Sequence, residues 1–268
     1  MSGVASRRAS SSVAIVLSAV AGSALLLFLA APIAGLLGSS GVEGARRLGS
    51  DHELRGALWR TLWTATTATL LAALGGTPLA YLLARRRFRG RALAMAILDL
   101  PLLLPHPVAG IALLLVLGRE SAAGRTLLEL GVRIVGSPVG IVCAMLFVSA
   151  PLYVSAAREA FARVDVRYES VARTLGDDAW RAVTRVTLPL ALRGLLAAAV
   201  VTWARAVSEF GAIVVITYHP RVARVLSYDR FSSYGLGEAL PVAAALVLLA
   251  ILPLAALRAL RGGGESAR

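Results

Sequence analysis

The sequence predicts an all-α, polytopic membrane protein with about six transmembrane helices. Of the 268 residues, 57% are hydrophobic and the mean hydropathy is +0.75, which is more than a soluble core of this size requires. The apolar residues gather into runs of roughly 20 or more, the length that a helix needs to cross a hydrocarbon layer about 30 Å thick. Short arginine-rich segments separate these runs, which is the pattern of a bilayer protein.

Six apolar runs are the predicted spans. The first run is longer than the hydrophobic segment of a secretory signal and leads into further runs, so we predict a retained first helix. Together the spans form one transmembrane domain over residues 13–260, preceded by an N-terminal segment 1–12 and followed by a short tail 261–268. The predicted spans are 13–37, 57–84, 94–118, 137–157, 192–217 and 238–260.

The placement of arginine predicts the topology. All 28 basic residues are arginine. With the N-terminus in the cytoplasm, the inner segments carry more arginines than the outer ones, as the positive-inside rule requires. We therefore predict a multi-pass protein of the plasma (inner) membrane with both termini in the cytoplasm. The formal charge of +13 then reflects topology in a lipid bilayer and not nucleic-acid binding.

The residue inventory excludes several classes of function. Without lysine the chain has no Walker A loop, whose lysine contacts the β- and γ-phosphates, so it does not hydrolyse ATP by that route. Cys143 is the single cysteine and can form neither an internal disulfide nor a cysteine metal cluster. The histidines His52, His106 and His219 lack metal-ligand spacing. We predict no catalytic residue, no metal site and no cofactor bound by this chain.

The longest polar stretch, residues 158–190, has the pattern of a helix-turn-helix element. Val164, Val171 and Leu175 recur among charges at roughly helical spacing. Gly176 is placed to end the first helix and Asp177 to cap the second. Two interpretations are open: an amphipathic helix on the membrane surface, or a docking element for a cytoplasmic partner.

Part of this stretch resembles the EAA loop of ABC importer permeases. Glu169-Ser-Val-Ala-Arg-Thr-Leu-Gly176, followed after nine residues by Val186-Thr-Leu-Pro189, keeps the glycine and Leu-Pro spacing of that loop. The family's triplet falls on Ser170-Val171-Ala172 and retains only its last alanine, with an acid one position earlier. The resemblance implies a type I ABC importer permease whose loop docks on ATPase subunits. The coupling residues that it implies are Glu169, Ser170, Val171, Ala172, Gly176, Leu188 and Pro189.

Two further segments resemble permeases for molybdate, tungstate and sulfate. Trp203-Ala-Arg-Ala-Val-Ser-Glu-Phe-Gly-Ala212 is similar to their A-R-x-x-x-E-F-G-A segment. Leu100-Pro-Leu-Leu-Leu-Pro-His-Pro-Val-Ala-Gly110 is similar to the proline-rich start of their third span, with His106 where a second proline is more usual. The segment 218–236 most resembles tungstate/molybdate permeases. The family resemblance implies a homodimer that works with ABC ATPase subunits, which use the ATP, and with an extracytoplasmic substrate-binding protein.

Charged residues inside the predicted spans mark a candidate translocation pathway. Arg205 and Glu209 stand four apart on one predicted helical face and can form an ion pair. Either this pair shapes the structure or a gate, or Arg205 contacts the anion directly. Pro101 and Pro105 release backbone carbonyls, so we expect their segment to face the pathway or a helix interface. The pathway candidates are Arg205, Ser208, Glu209, Phe210, Gly211, Pro101 and Pro105.

Two features leave alternatives open. His106 is either a pH-responsive gate or a histidine at a helix interface. In the outer loop, Arg221, Arg224 and Arg230 either receive a substrate-binding protein or belong to an ordinary solvated loop.

These features predict the membrane-spanning permease of an ABC importer for a small oxyanion, foremost tungstate or molybdate. One alternative is an importer for sulfate or another small solute. Another is a secondary carrier driven by an ion gradient, although the two halves show no internal repeat and such a carrier has no use for an EAA-like loop. A membrane scaffold or sensor has no need of intramembrane Arg205 and Glu209.

Overall fold

The protein is all-helical, as predicted. In residues 2–262, which this computed structural model describes, twelve α-helices and one π-helical turn follow one another without a strand. The elements are α1 (Ser2–Ser50), α2 (His52–Arg85), α3 (Arg91–Leu103), α4 (His106–Leu117), α5 (Ala122–Glu129), α6 (Pro138–Ala162), α7 (Val166–Thr174), α8 (Ala179–Ala182), the π turn (Val183–Thr187), α9 (Leu188–Val207), α10 (Gly211–Ile216), α11 (Ala223–Tyr234) and α12 (Leu236–Gly262).

Five stretches are long and apolar enough to cross a bilayer by themselves. They are Ile15–Ser39, His52–Arg85, Pro138–Ala162, Ala179–Val207 and Leu236–Leu260. The pair α3 and α4 makes a sixth if the two helices are counted as one span. The number of spans therefore agrees with the expectation of about six.

The third predicted span, 94–118, is not a continuous helix. The chain bends by 119° between α3 and α4. Pro105 has no backbone N–H to continue the helical ladder, and its ring disfavours a helical conformation at Leu104, which is extended (φ −72°, ψ 136°). The proline therefore divides the apolar run into two helices with different directions.

The fifth predicted span, 192–217, is also interrupted. Helix α9 begins earlier, at Leu188, and ends at Val207, and α10 starts at Gly211 after an irregular segment at 208–210. In this segment the Glu209 side chain accepts a hydrogen bond from the backbone N–H of Ala212 at 2.9 Å. A side chain that takes this N–H competes with the continuing helical ladder, which accounts for a break without a proline.

Close packing of α2, α6 and α9 forms the centre of the bundle. The small residues Ala68, Ala72, Gly76 and Ala80 of α2 are buried, and Gly76 lies against Tyr153 and Val154 of α6. Small side chains allow membrane helices to approach closely where lipid supplies no hydrophobic drive for association. Two separate apolar clusters, one along each half of these helices, hold the bundle together.

The terminal segments differ in how far the structure describes them. Helix α1 begins at Ser2, so the predicted segment 1–12 is helical from Ser2 and continuous with the first span. Its apolar middle part is exposed along the protomer, and α1 packs mainly against α12. Helix α12 ends at Gly262, and the rest of the predicted tail, 263–268, lies outside the described residues.

Candidate functional site

The two helix breaks meet in space. Helix α4, which follows the first break, packs against α10, which follows the second. A Cβ added to Gly110 of α4 would lie 2.7 Å from Val215 Cβ and 2.9 Å from the carbonyl oxygen of Ala212. A Cβ added to Gly211 of α10 would lie 2.6 Å from His106 Cβ. Both glycines are therefore needed for this contact, which joins the two breaks into one unit.

Four charged or polar side chains converge where the breaks meet. Arg205 Nη2 lies 3.0 Å from Glu209 Oε2, and His106 Nδ1 lies 3.3 Å from the same oxygen. Arg205 Nη2 is also 3.1 Å from His106 Nδ1. The predicted pair of Arg205 and Glu209 is thus present, although a helix end and an irregular segment bring it together instead of one helical face. We call Arg205, His106, Glu209 and Ser208 the break cluster.

The members of the break cluster differ in exposure. The Glu209 side chain is only 1% exposed, whereas Arg205 is 21% and His106 is 52% exposed. Arg205 Nη1 donates to Ser208 Oγ at 3.3 Å, and this hydroxyl donates to the Arg205 carbonyl oxygen at 2.9 Å. The open side of the cluster therefore presents hydrogen-bond donors, and the carboxylate lies behind them.

A cavity of about 400 Å³ lies beside the cluster and is lined by Ser208 and Arg224 together with apolar residues of α9 and α12. Desolvation lowers the pKa of the Arg224 guanidinium; the Glu209 carboxylate opposes this shift and the Arg205 charge adds to it. Arg224 thus belongs to the same electrostatic neighbourhood as the cluster. A second positive charge close to Arg205 makes this region attractive to an anion.

The remaining pathway candidates lie around these groups. Pro105 precedes His106 at the first break, and Pro101 is buried within α3. Phe210 contacts Tyr228 of α11 in a tilted arrangement, with ring centroids 5.2 Å apart and an angle of 53° between the ring planes. His106 was not among the predicted pathway candidates, although it was considered as a pH-responsive gate. The signal that pointed to it was its place between Pro105 and Pro107.

The predicted coupling loop folds as α7, a turn, α8 and the π turn. Gly176 has φ +101°, a conformation that side chains disfavour, so it ends α7 as predicted. The predicted N-cap is wrong by one residue: Asp178, not Asp177, accepts from the N–H of Arg181. Asp177 instead lies 3.2 Å from Arg185 Nη1. This contact connects the turn after α7 to the π turn.

Glu169 faces the membrane bundle and not the exterior. Its Oε1 accepts from Arg85 Nε at 2.8 Å and from Thr187 Oγ1 at 2.8 Å. Its Oε2 accepts from Tyr81 Oη at 3.0 Å, and Arg85 Nη2 also donates to the Val164 carbonyl. These bonds connect α7 to the end of α2 and to the π turn. We call this arrangement the Glu169 bracket.

The other predicted coupling residues divide into two groups. Ala172 is buried, and Leu188 packs against the apolar cluster that contains Leu83, Phe161 and Leu195. Ser170, Val171, Gly176 and Pro189 are exposed. Two further side chains, Leu175 at 83% and Trp180 at 74% exposure, extend this surface. An exposed apolar surface on a polar loop is typical of a docking site for another protein.

The outer-loop arginines form ion pairs within the chain. Arg221 Nη1 lies 2.8 Å from Glu53 Oε1 and 3.0 Å from Asp229 Oδ2. Arg230 Nη2 lies 2.7 Å from Asp51 Oδ2 and 3.2 Å from Glu53 Oε2. These pairs fasten α11 and the loop before it to the start of α2. Arg221 and Arg230 therefore belong to a structural network and not to a solvated loop.

The chain is similar to known membrane transport proteins. The family model described as "Binding-protein-dependent transport system inner membrane component" matches residues 76–261. The molybdate/tungstate transport system permease protein WtpB of Thermococcus kodakarensis is 40% identical over 237 residues, which cover 88% of this chain and 91% of the relative. The molybdenum transport system permease protein ModB of Escherichia coli K12 is 39% identical over 161 residues, 58% of this chain and 70% of the relative.

The fold also has solved counterparts. A chain of a bacterial ABC transporter involved in the import of the acidic polysaccharide alginate superposes with a TM-score of 0.71 at 17% identity, covering 97% of this chain and 96% of the other. This likeness agrees with the predicted importer-permease fold. On the family match and the extent of the relatives, the chain belongs to the family of binding-protein-dependent transport system inner membrane components, and it is a multi-pass transport subunit, not an enzyme.

Proposed function

We propose that this chain is the membrane-spanning permease of an ABC importer that carries molybdate or tungstate. The observation that carries this proposal is the 40% identity to a molybdate/tungstate permease over 88% of the chain. The break cluster supports the same class of cargo, because its accessible groups are donors and its carboxylate is 1% exposed. An approaching oxyanion thus meets Arg205 and His106 first.

The driving force comes from a separate ATPase subunit, and ATP is used there. This chain has no lysine and therefore no Walker A loop of its own, and it binds no cofactor in this proposal. The exposed apolar surface around Val171, Leu175 and Trp180 supports docking of that subunit. The Glu169 bracket then connects the docking surface to α2 through Arg85. A push on α7 would reach the bundle as a rigid-body movement.

The working assembly is a homodimer with two ATPase subunits and an extracytoplasmic substrate-binding protein. One protomer leaves His106 and Arg205 partly exposed at a helix break, where contact with lipid would be costly. A second copy facing this surface would enclose a polar pathway between the two. The name of the family, which refers to a binding protein, supports the outer partner.

The same arrangement sets the topology in the plasma (inner) membrane. With α3 and α4 counted as one span, the chain crosses six times, so both termini lie on the same side. The loop that contains α7 and α8 follows the fourth crossing and lies on that side as well. Because the ATPase docks there, both termini are cytoplasmic, which also agrees with the arginine distribution.

Competition for uptake tests the cargo. Vesicles that hold the chain with its ATPase and binding protein are given radiolabelled molybdate, with unlabelled tungstate or sulfate in excess. We expect tungstate to suppress uptake and sulfate at the same concentration to leave most of it. Suppression by sulfate to the same extent would point to the sulfate importer instead.

A further inference from the structure

The break cluster combines the buried carboxylate of Glu209 with partly exposed hydrogen-bond donors of Arg205 and His106. We propose that Arg205, together with Ser208 and His106, forms an oxyanion-binding step of the pathway, at which the transported ion replaces Glu209 as the partner of Arg205. The inference rests on the proposed function and adds to it the residues that contact the ion. While no ion is bound there, the Glu209 carboxylate is the anionic partner of Arg205.

The carboxylate of Glu209 is anchored independently of Arg205. Its Oε1 accepts from the backbone N–H of Ala212 at 2.9 Å. Its Oε2 is 3.0 Å from Arg205 Nη2, but this contact lacks the geometry of a hydrogen bond, and the oxygen has no hydrogen-bond partner within the described part of the chain. A structural ion pair is usually held by well-directed, often bidentate hydrogen bonds. The pair here is an electrostatic contact that Arg205 can leave without unfolding the segment.

The guanidinium of Arg205 has donors available for an ion. Nη1 makes a long bond of 3.3 Å to Ser208 Oγ. Among the residues that the structure describes, Nε of Arg205 has no partner. A planar guanidinium binds two oxygens of an oxyanion with parallel donors, and the Ser208 hydroxyl can rotate to donate to a third. A tetrahedral oxyanion therefore fits the donor set on the open side.

His106 prevents the carboxylate from being left alone when Arg205 turns to the ion. Its Nδ1 is 3.3 Å from Glu209 Oε2, and it donates there when that nitrogen carries a proton. Arg224 supplies a further positive charge from α11, close enough for its pKa to respond to Arg205 and Glu209. With these two neighbours the Glu209 carboxylate keeps a hydrogen-bond donor after the exchange, and Arg224 adds a second positive charge near the bound ion.

Glu209→Gln separates this exchange from a purely structural ion pair. The amide oxygen still accepts from the Ala212 N–H, so the break keeps its hydrogen bond. If Glu209 competes with the ion, removing its charge frees Arg205 and strengthens oxyanion binding. If the pair is only structural, the substitution removes an attraction and gives no gain in binding.

The test measures binding of radiolabelled tungstate to the purified permease–ATPase complex in lipid nanodiscs without the binding protein. We expect Arg205→Gln to weaken binding roughly 10- to 100-fold, the usual effect of losing hydrogen bonds to a charged group. Arg205→Lys keeps the charge but not the planar fork, so its affinity for tungstate should lie between those of Arg205→Gln and the unmodified chain. Glu209→Gln should bind tungstate several-fold more tightly than the unmodified chain. Arg125→Gln, at an exposed ion pair with Glu120, is the matched control and should bind as the unmodified chain does.

Three results would overturn the proposal. The first is unchanged binding by Arg205→Gln in an intact complex; the second is a loss of binding by Glu209→Gln as large as that of Arg205→Gln. A complex that binds no oxyanion while uptake is intact would also overturn it and leave the proposed function standing. If the complex takes up sulfate but neither molybdate nor tungstate, the cargo proposal fails, and the same variants measured with labelled sulfate decide the role of Arg205.

Discussion

Replacing Gly211 with alanine tests whether the two helix breaks act as one unit. The new Cβ would lie 2.6 Å from His106 Cβ and 3.1 Å from both the His106 carbonyl carbon and Pro107 Cδ. Carbon atoms in contact are normally separated by roughly 3.5–4.0 Å, so α4 and α10 must move apart by about 1 Å. The His106–Glu209 contact, now 3.3 Å, would then lie beyond the range of an ion pair.

The size of the effect follows from the cost of overpacking, about 1–3 kcal/mol for one added methyl group. Backbone atoms stand on the His106 side, so a rotamer change cannot relieve the clash. If about 1.4 kcal/mol of this cost destabilises the conformation in which α4 packs against α10, the population of that conformation drops roughly tenfold. We therefore expect Gly211→Ala to reduce the rate of oxyanion uptake about tenfold while the complex still assembles.

The assay is the initial rate of uptake into vesicles, at equal amounts of assembled complex. Gly75→Ala is the matched control, because a Cβ at Gly75 meets nothing within 4 Å and the position is exposed in α2. It should transport normally. Uptake by Gly211→Ala at the rate of the unmodified chain would refute the joined movement of α4 and α10.

Three further predictions concern the loop of α7 and α8 and the start of α2. Glu169→Gln removes the charge that Arg85 contacts at 2.8 Å, and we expect several-fold less uptake per ATP hydrolysed, with an unchanged ratio as the contrary result. Leu175→Asp places a charge on the exposed apolar surface and should weaken co-purification of the ATPase roughly tenfold, whereas equal recovery would remove Leu175 from the docking site. Desolvation raises the pKa of Asp51, but the hydrogen bonds from the Leu54 N–H and from Arg230 lower it by more, so this pKa lies below its usual value. The charged Asp51 therefore stabilises the fold fully above about pH 4, and this contribution is lost as the pH falls through the lowered pKa. Melting curves of Asp51→Asn should therefore show less acid sensitivity than those of the unmodified chain, and identical curves would contradict this.

The spans were predictable because their physical cause is local. A bilayer requires about 20 apolar residues per crossing helix wherever the helix lies in the fold. Gly176 was predictable for a similar reason, since a helix commonly ends at a glycine with positive φ, and it has φ +101° here. Such features depend on a few neighbouring residues and can be identified in one sequence.

The breaks and the direction of Glu169 depend on distant residues. Pro105 predicts an interruption but not the 119° bend, which is set by how α4 packs on α10. The second break lies in an apolar run without a proline, and it requires the Glu209–Ala212 hydrogen bond. Glu169 was predicted as a coupling residue without a named partner, and Arg85, 84 positions earlier, holds it against the bundle. Periodicity along the chain contains no information about these partners.

The outer loop illustrates the same limit. Arg221 and Arg230 stand near Tyr228 in a polar stretch, which suggests a solvated or partner-binding loop. Their acidic partner Glu53 lies 168 residues before Arg221 and 177 residues before Arg230 in the sequence. Only the tertiary fold brings these charges together.

Uptake of labelled tungstate is the most direct test of the source of energy for transport. Vesicles holding the chain alone, with an imposed ion gradient, are compared with vesicles that also hold the ATPase, the binding protein and ATP on the cytoplasmic side. Uptake that requires all three additions and ignores the gradient is the expected result. Uptake by the chain alone, following the gradient and indifferent to ATP, would contradict the importer and identify a secondary carrier.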